Sequence, residues 1–349
     1  MDFAKLYRKA VRFKDRYRAF HDERAQLENL YRVCLDHISP VTEPVALISQ
    51  IQRSGGSLLS QLFDGHPQLH AHPHELKIGH PKKYLWPQID LEQTAEHWFR
   101  LLFEESVIRL SKNGYKKEPT SDITFPFLFL PALQEKIFLK YLKSMPSIRL
   151  RDVFDAYMTS YFGAWLNNQN TTGQKKFVTA FTPRLAMSQD NMETFFKIYP
   201  DARMISIVRD PNNWYPSALR HNRKIKKDKY SDIRIALRQW QESTQSAIWN
   251  KERFGDRVCI IKFEDLVGNL SLVMHYLAEF LHIEFDPILL TPTFNKSPIR
   301  ANTSFEDDEV GIVKSTLARH ETLSESEIAI IVEMTKEVYH KTLKEAVVF

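Results

Sequence analysis

The sequence predicts an α/β fold: a central parallel sheet with helices on both faces and a helical insertion. Three observations carry this. The runs "VALISQI" (45–51), "FVTAF" (177–181), "RMISIV" (203–208) and "VCIIKF" (258–263) are continuously apolar rather than alternating, as in strands buried on both faces. Helical patterns at about 185–198 and 231–253 separate the later runs, and strands alternating with helices favour a parallel sheet. No Pro-, Gly- or Ser-rich linker divides the 349 residues, which suffice for one large domain.

Taken in chain order, residues 3–34 read as one helix, with Phe3, Leu6, Ala10, Val11, Phe13 and Tyr17 forming most of an apolar stripe among Lys and Arg. "SPVTEP" (39–44) breaks that pattern, so 1–38 is expected to be a basic amphipathic helix and 39–349 a single α/β domain. The helix is expected to pack its apolar side on the body; lying on an anionic membrane surface is the alternative. After the first strand-like run, Gly55 and Gly56 turn the chain into "SLLSQLF", where Leu58, Leu59 and Leu62 share a helical face. The insertion at about 85–170 is helix-rich and aromatic (Trp86, Trp98, Phe125, Phe127, Phe129, Tyr157, Tyr161, Trp165) and is expected to form its own core. The last forty residues contain a helix with Ser324 or Ser326 near its cap.

Composition excludes several classes. The chain is 43% hydrophobic and 26% charged, as soluble globular proteins are. Its formal charge is +5, and residues 1–20 hold seven Lys or Arg against two Asp, so the remainder sums to zero. The body is therefore not a nucleic-acid binder by charge. Cys34 and Cys259 lie far apart without metal-ligand spacing, which favours a reducing compartment. The N-terminal stretch lacks the apolar core of a signal peptide, and "FPFLFLPAL" near residue 130 is too short and Pro-broken to span a bilayer. A cytoplasmic location is expected.

Two adjacent glycines between a buried strand and a helix aim backbone N–H groups and the helix's positive end at an anion. Arg53 opens this turn, Ser54 and Ser57 offer hydroxyls, and Leu58 continues into the helix. The loop lacks the Gly-Lys-Ser/Thr of a nucleotide P-loop, so the anchor must come from elsewhere. It comes from "MISIVRDPNNWYPSALRHN" (204–222). Arg209 ends an apolar strand, Asp210 and Pro211 turn the chain, and Ser217 follows eight residues on. An Arg at a strand's carboxyl end sits in the crevice where open α/β sheets bind ligands, and its planar fork suits phosphate.

In these two stretches the chain resembles sulfotransferases that use 3′-phosphoadenosine 5′-phosphosulfate (PAPS). "QRSGGSLL" resembles the family's 5′-phosphosulfate loop, and "VRDPNNWYPSAL" its 3′-phosphate motif. "DGHP" (64–67), "IYPDARMISIVRDP", "IIKFEDLV" and "ANTSF" (301–305) follow in family order, so the resemblance spans roughly 45–320. It implies a P-loop-type three-layer fold, PAPS as co-substrate with PAP as product, no metal requirement, and a hydroxyl-bearing acceptor such as a glycan, lipid headgroup, steroid or small alcohol. It further implies donor binding by Arg53, Ser54, Gly55, Gly56, Ser57, Leu58, Arg209 and Ser217. Gly56 stands where the family has a hydroxyl residue, so backbone N–H groups must substitute. Arg53 replaces the usual Lys and keeps the charge. A P-loop kinase and a protein that binds PAP without transferring sulfuryl are the alternatives.

Sulfuryl transfer puts charge on the departing phosphate's bridging oxygen, which Arg53 and the loop N–H groups can stabilise, and it needs a base for the acceptor hydroxyl. "HPQLHAHPHELKIGHP" (66–81) follows the loop helix. The family places a catalytic Glu or His about twenty residues past the loop's basic residue, which implies Glu75, with His74 as the other candidate. His70, His72 and His74 would share one face of a strand and could instead hold zinc, although Pro73 weakens that geometry. His66 and His80 read as turn or surface residues. Glu264 and Asp265 read as a solvated helix cap, and Arg319 as a surface residue, with added charge at the donor phosphate as its alternative.

Overall fold

The computed structural model of the chain describes residues 3–78, 85–116, 123–226, 228–300 and 311–349, without the side chains of 18–21. Among these, five strands form one sheet: β1 (Val45–Ile48), β2 (Leu69–Glu75), β3 (Phe177–Phe181), β4 (Arg203–Val208) and β5 (Val258–Lys262). Their order is β2–β3–β1–β4–β5 and every pairing is parallel.

Helices α1 (Phe3–His21) and α2 (Glu23–Asp36) precede the sheet, and α3 (Gly56–Phe63) joins β1 to β2. Between β2 and β3 lie α4 (Ala95–Leu102), α5 (Ser106–Asn113), α6 (Pro131–Lys143) and α7 (Leu150–Ala164). Then come α8 (Gln189–Ile198) before β4, and α9 (Pro211–Lys224) and α10 (Ile233–Phe254) before β5. α11 (Phe263–Gly268), α12 (Leu270–Phe280) and α13 (Glu325–Glu345) follow.

The period-2 geometry of a strand explains the continuous apolar runs. Val45 and Leu47 of β1 face one side, with Val178, Ala180, Met204 and Val258, and are covered by α4–α8. Ala46 and Ile48 face the other, with Ile205, Ile207, Cys259 and Ile261, under α3, α11 and α12. Both faces are apolar because both are covered, which makes three layers. The expected P-loop-type α/β fold is the observed one, with its glycine loop on the central strand.

Three expectations change. The helix expected over 3–34 is two helices, because the Asp22 side chain accepts from Ala25 N and starts α2 afresh. No residue of α1 or α2 whose exposure is described is buried, so α1 does not pack its apolar side on the body. The insertion's aromatics form no separate core either: Phe127, Phe129, Tyr157, Tyr161 and Trp165 belong to the same buried cluster as Val45 and Leu47 of the sheet.

Candidate active site

The loop after β1 shows why it holds two glycines. Gly55 has φ +100° and is the N-cap of α3, and a Cβ there would stand 2.6 Å from Phe263 Cδ2. A Cβ on Gly56 would stand 2.3 Å from Gln50 Nε2 and from Phe181 Cε2. The missing hydroxyl at 56 thus follows from packing: the first turn of α3 lies too close to β3 for any side chain. Arg53 also has a positive φ, +70°, which a non-glycine residue adopts at a cost, so the loop stores strain. No side chain caps α3, which leaves its first N–H groups to serve an anion.

Arg209 leaves the end of β4, the neighbour of β1, and is 3% exposed. Its Nη1 donates to Arg53 O at 3.0 Å and its Nη2 to Thr316 O at 2.7 Å, while the guanidinium stacks 4.2 Å from the Phe263 ring centroid. It therefore clasps the glycine loop to the segment Lys314–Thr322, and each outer nitrogen keeps a second N–H. Burial, with the nearby charges of Arg53 and Arg319, pulls Arg209 down to about 10. Arg209 Nε, Arg53 Nε and Ser54 Oγ are buried without a hydrogen-bond partner. Three guanidinium groups and three unserved polar atoms fit an anion and little else.

A cavity of about 250 Å³ opens here, lined among others by Arg53, Gly55, Gly56, Ser57, Leu58, Glu75, Arg209 and Ser217. Ser54 lies behind that lining. Thr316, Arg319 and Phe263, from the later chain, complete the wall. Arg319 is thus a cavity residue rather than an ordinary surface one. Its segment is held down by Asn213 Oδ1 on α9, which accepts from His320 N at 3.1 Å and His320 Nδ1 at 3.2 Å. Nor is Glu264 a solvated cap. Burial raises its carboxyl to about 7, and its Oε1 accepts from Asp210 N at 3.2 Å, bracing the Arg209 turn. "ANTSF" (301–305) and His80 lie outside the described residues.

The other wall ends β2, where Glu75 and His74 part company. Glu75 lines the cavity, whereas the His74 ring points into the core. His74 Nδ1 donates to Glu75 O at 2.8 Å and Nε2 accepts from Tyr161 Oη at 2.9 Å, and burial lowers the ring to about 4. His72 sits deeper. Its Nδ1 donates to His74 O at 2.8 Å and its Nε2 to Glu104 Oε1 at 3.1 Å. Glu104 also accepts from Tyr157 Oη at 3.0 Å and from Lys77 N at 2.7 Å. This network grips the carbonyls of residues 74 and 75 and the N–H of 77, the backbone on both sides of the Glu75 side chain.

One ligand atom each from His72, His74 and Glu104 lies within 4.8 Å of the others, close enough for a metal ion, although hydrogen bonds already engage the ring nitrogens. His70 is not in that group, because β2 shifts register between Ala71 and Glu75; it faces Glu43 at 3.9 Å. Pro73 does not stop β2, which is an edge strand and spares that N–H. His66 is fully buried, with Nε2 2.9 Å from Glu284 O, rather than a surface residue.

The pattern shared by the sulfotransferase family matches residues 44–287, from β1 through α12. The chain belongs to the sulfotransferase family. Among solved structures, this sulfotransferase is similar to the sulfotransferase domain from the curacin biosynthetic pathway, with 18% identity and a TM-score of 0.47 over 85% of this chain and 99% of that one. The sulfotransferase domain of the Synechococcus PCC 7002 olefin synthase has 19% identity and a TM-score of 0.45, over 86% and 96%. Mouse sulfotransferase SULT7A1, solved in complex with PAP, has 12% identity and a TM-score of 0.39, over 91% of each chain. No curated protein matches the sequence.

Proposed function

We propose that this sulfotransferase takes its sulfuryl group from PAPS and passes it to an acceptor hydroxyl, with Glu75 as the base. The observation that carries this is the convergence of Arg53, Arg209 and Arg319 on a cavity that also holds a carboxylate at the end of β2. PAPS is anionic at two ends, on its 3′-phosphate and its 5′-phosphosulfate. The glycine loop with Arg53 and Ser57 suits the phosphosulfate, and Arg209 with Ser217 suits the 3′-phosphate. In the reaction the acceptor oxygen bonds to sulfur as the bond from sulfur to the bridging phosphate oxygen breaks, leaving PAP. Glu75 takes the acceptor's proton, and Arg53 steadies the charge left on the bridging oxygen. His74 is the weaker base candidate, since both ring nitrogens are committed away from the cavity.

The test is calorimetric titration with PAP in EDTA, followed by transfer from labelled PAPS to a panel of alcohols, glycans and lipids. Wild-type protein is expected to bind PAP without metal. Arg209→Ala should weaken binding about tenfold or more, from a lost charge-assisted contact worth roughly 1.5–3 kcal/mol. Glu75→Gln should bind PAP normally yet transfer sulfuryl about 10²–10⁴-fold more slowly. ATP–Mg²⁺ binding in place of PAP would make the site a kinase's. PAP binding with no transfer to any acceptor would make it a binding protein.

A further inference from the structure

We propose that α1 docks this chain on an anionic lipid surface through its uncovered apolar face. At 100° per residue, Phe13, Leu6, Tyr17, Ala10 and Phe3 fall within an arc of about 80°, and Tyr7 and Val11 widen it to about 160°. Those side chains face water: Phe3 is 82% exposed, Phe13 71%, Tyr7 72% and Leu6 54%. Opposite them Arg8, Arg12, Lys5, Arg16 and Lys9 fill an arc of about 100°. Lys14 lies inside the apolar sector, where a long side chain can bury its stem and lift its ammonium to headgroup level.

Charge and apolarity together select the occupant. A helix of 19 residues, about 28 Å long, that lies in a bilayer interface sinks its apolar arc among the acyl chains and meets anionic headgroups with its flanking cations. Nucleic acid would neutralise the basic arc but leave Phe3, Leu6 and Phe13 in water. A second copy of the chain would bring further cations, and the body sums to zero charge, with no acidic excess to receive them. α1 is tied to the body by α2, whose far end docks on α6: Asp36 pairs with Lys140 at 3.3 Å, and Lys136 stands over the Tyr31 ring. The docking surface is thus attached to the folded domain on the side of the helical insertion.

Flotation of the full chain with vesicles tests this, comparing phosphatidylcholine alone with phosphatidylcholine containing roughly 30% phosphatidylserine. The chain is expected to float with the anionic vesicles and not with the neutral ones, less so at high salt. Leu6→Glu with Phe13→Glu should cut bound protein at least tenfold, and Arg8→Glu with Arg12→Glu should do likewise. Both variants should keep the wild-type melting temperature, because the substituted side chains support no core. Three results would overturn the proposal. These are no flotation of the wild type, flotation untouched by the Leu6/Phe13 pair, and a sedimenting dimer that this pair converts to monomer. None of them bears on PAP binding, so this reading and the donor-site reading fail separately.

Discussion

Gly56 shows how much one missing methyl group decides. An alanine Cβ there would stand 2.3 Å from Gln50 Nε2 and Phe181 Cε2, and 2.7 Å from Phe181 Cζ, well inside contact distance. Phe181 is fixed by its place at the end of β3, so α3 must give way instead. Gly56→Ala should cost roughly 1–3 kcal/mol of stability and also weaken PAP binding, because the displaced turn carries the loop N–H groups. Urea unfolding with parallel PAP titration checks this; a variant with wild-type values of both would show that Phe181 yields. Of the residues singled out from the sequence, Arg53, Gly55, Arg209 and Glu75 line this same cavity, because each lies at or just past the end of a strand. Thr316 and Arg319 come from a segment with no periodic signal, and Phe263 gave no sign of stacking on Arg209. Their roles are long-range and leave no local pattern.

β2 was the element least legible in the sequence. Its pattern, "LHAHPHE", lacks an apolar run because the strand lies at the sheet's edge and buries histidines among partners from the insertion. Glu104, one of two adjacent acids in "FEES" (103–106), is fully buried. Burial alone would raise its carboxyl, but the charge and hydrogen bond of His72 and the N–H of Lys77 bring it below its ordinary value of 4.5. Glu104→Ala would leave His72 Nε2 buried without its partner and free Lys77 N–H, at a cost of roughly 3–5 kcal/mol. Because the same network holds the backbone around Glu75, the surviving folded protein should keep its PAP affinity and lose sulfuryl transfer. Equal losses of both would mean that the network supports the whole sheet edge and not the position of Glu75. The other four strands were legible from their buried apolar runs. The insertion's packing against the sheet was not, because aromatic content says that a core exists and not what it faces.

Across the whole molecule, buried titratable groups set stability in opposing directions. Burial raises Asp155, which accepts from Tyr199 Oη, from 3.8 to about 6, and Glu264 from 4.5 to about 7. For a raised carboxyl the folded state holds a proton that the unfolded state has released. Each therefore removes stability as pH climbs from the lower value to the higher. Burial lowers His70 and His74 from 6.5 to about 4, so there the unfolded state takes up protons first, and stability falls as pH drops through that interval. Between about pH 4.5 and 6 these two carboxyls and two imidazoles offset one another, proton for proton. Glu264→Gln removes one carboxyl while keeping an oxygen to accept from Asp210 N. Relative to wild type, the variant's stability should therefore rise with pH between about 4.5 and 7, by at most about 1.4 kcal/mol per pH unit, and level off above. Urea unfolding of both proteins in half-unit pH steps reads this directly. Parallel curves would mean that Glu264 titrates in the folded protein as it does in the unfolded chain, and that the turn carrying Arg209 is held by geometry without a buried proton.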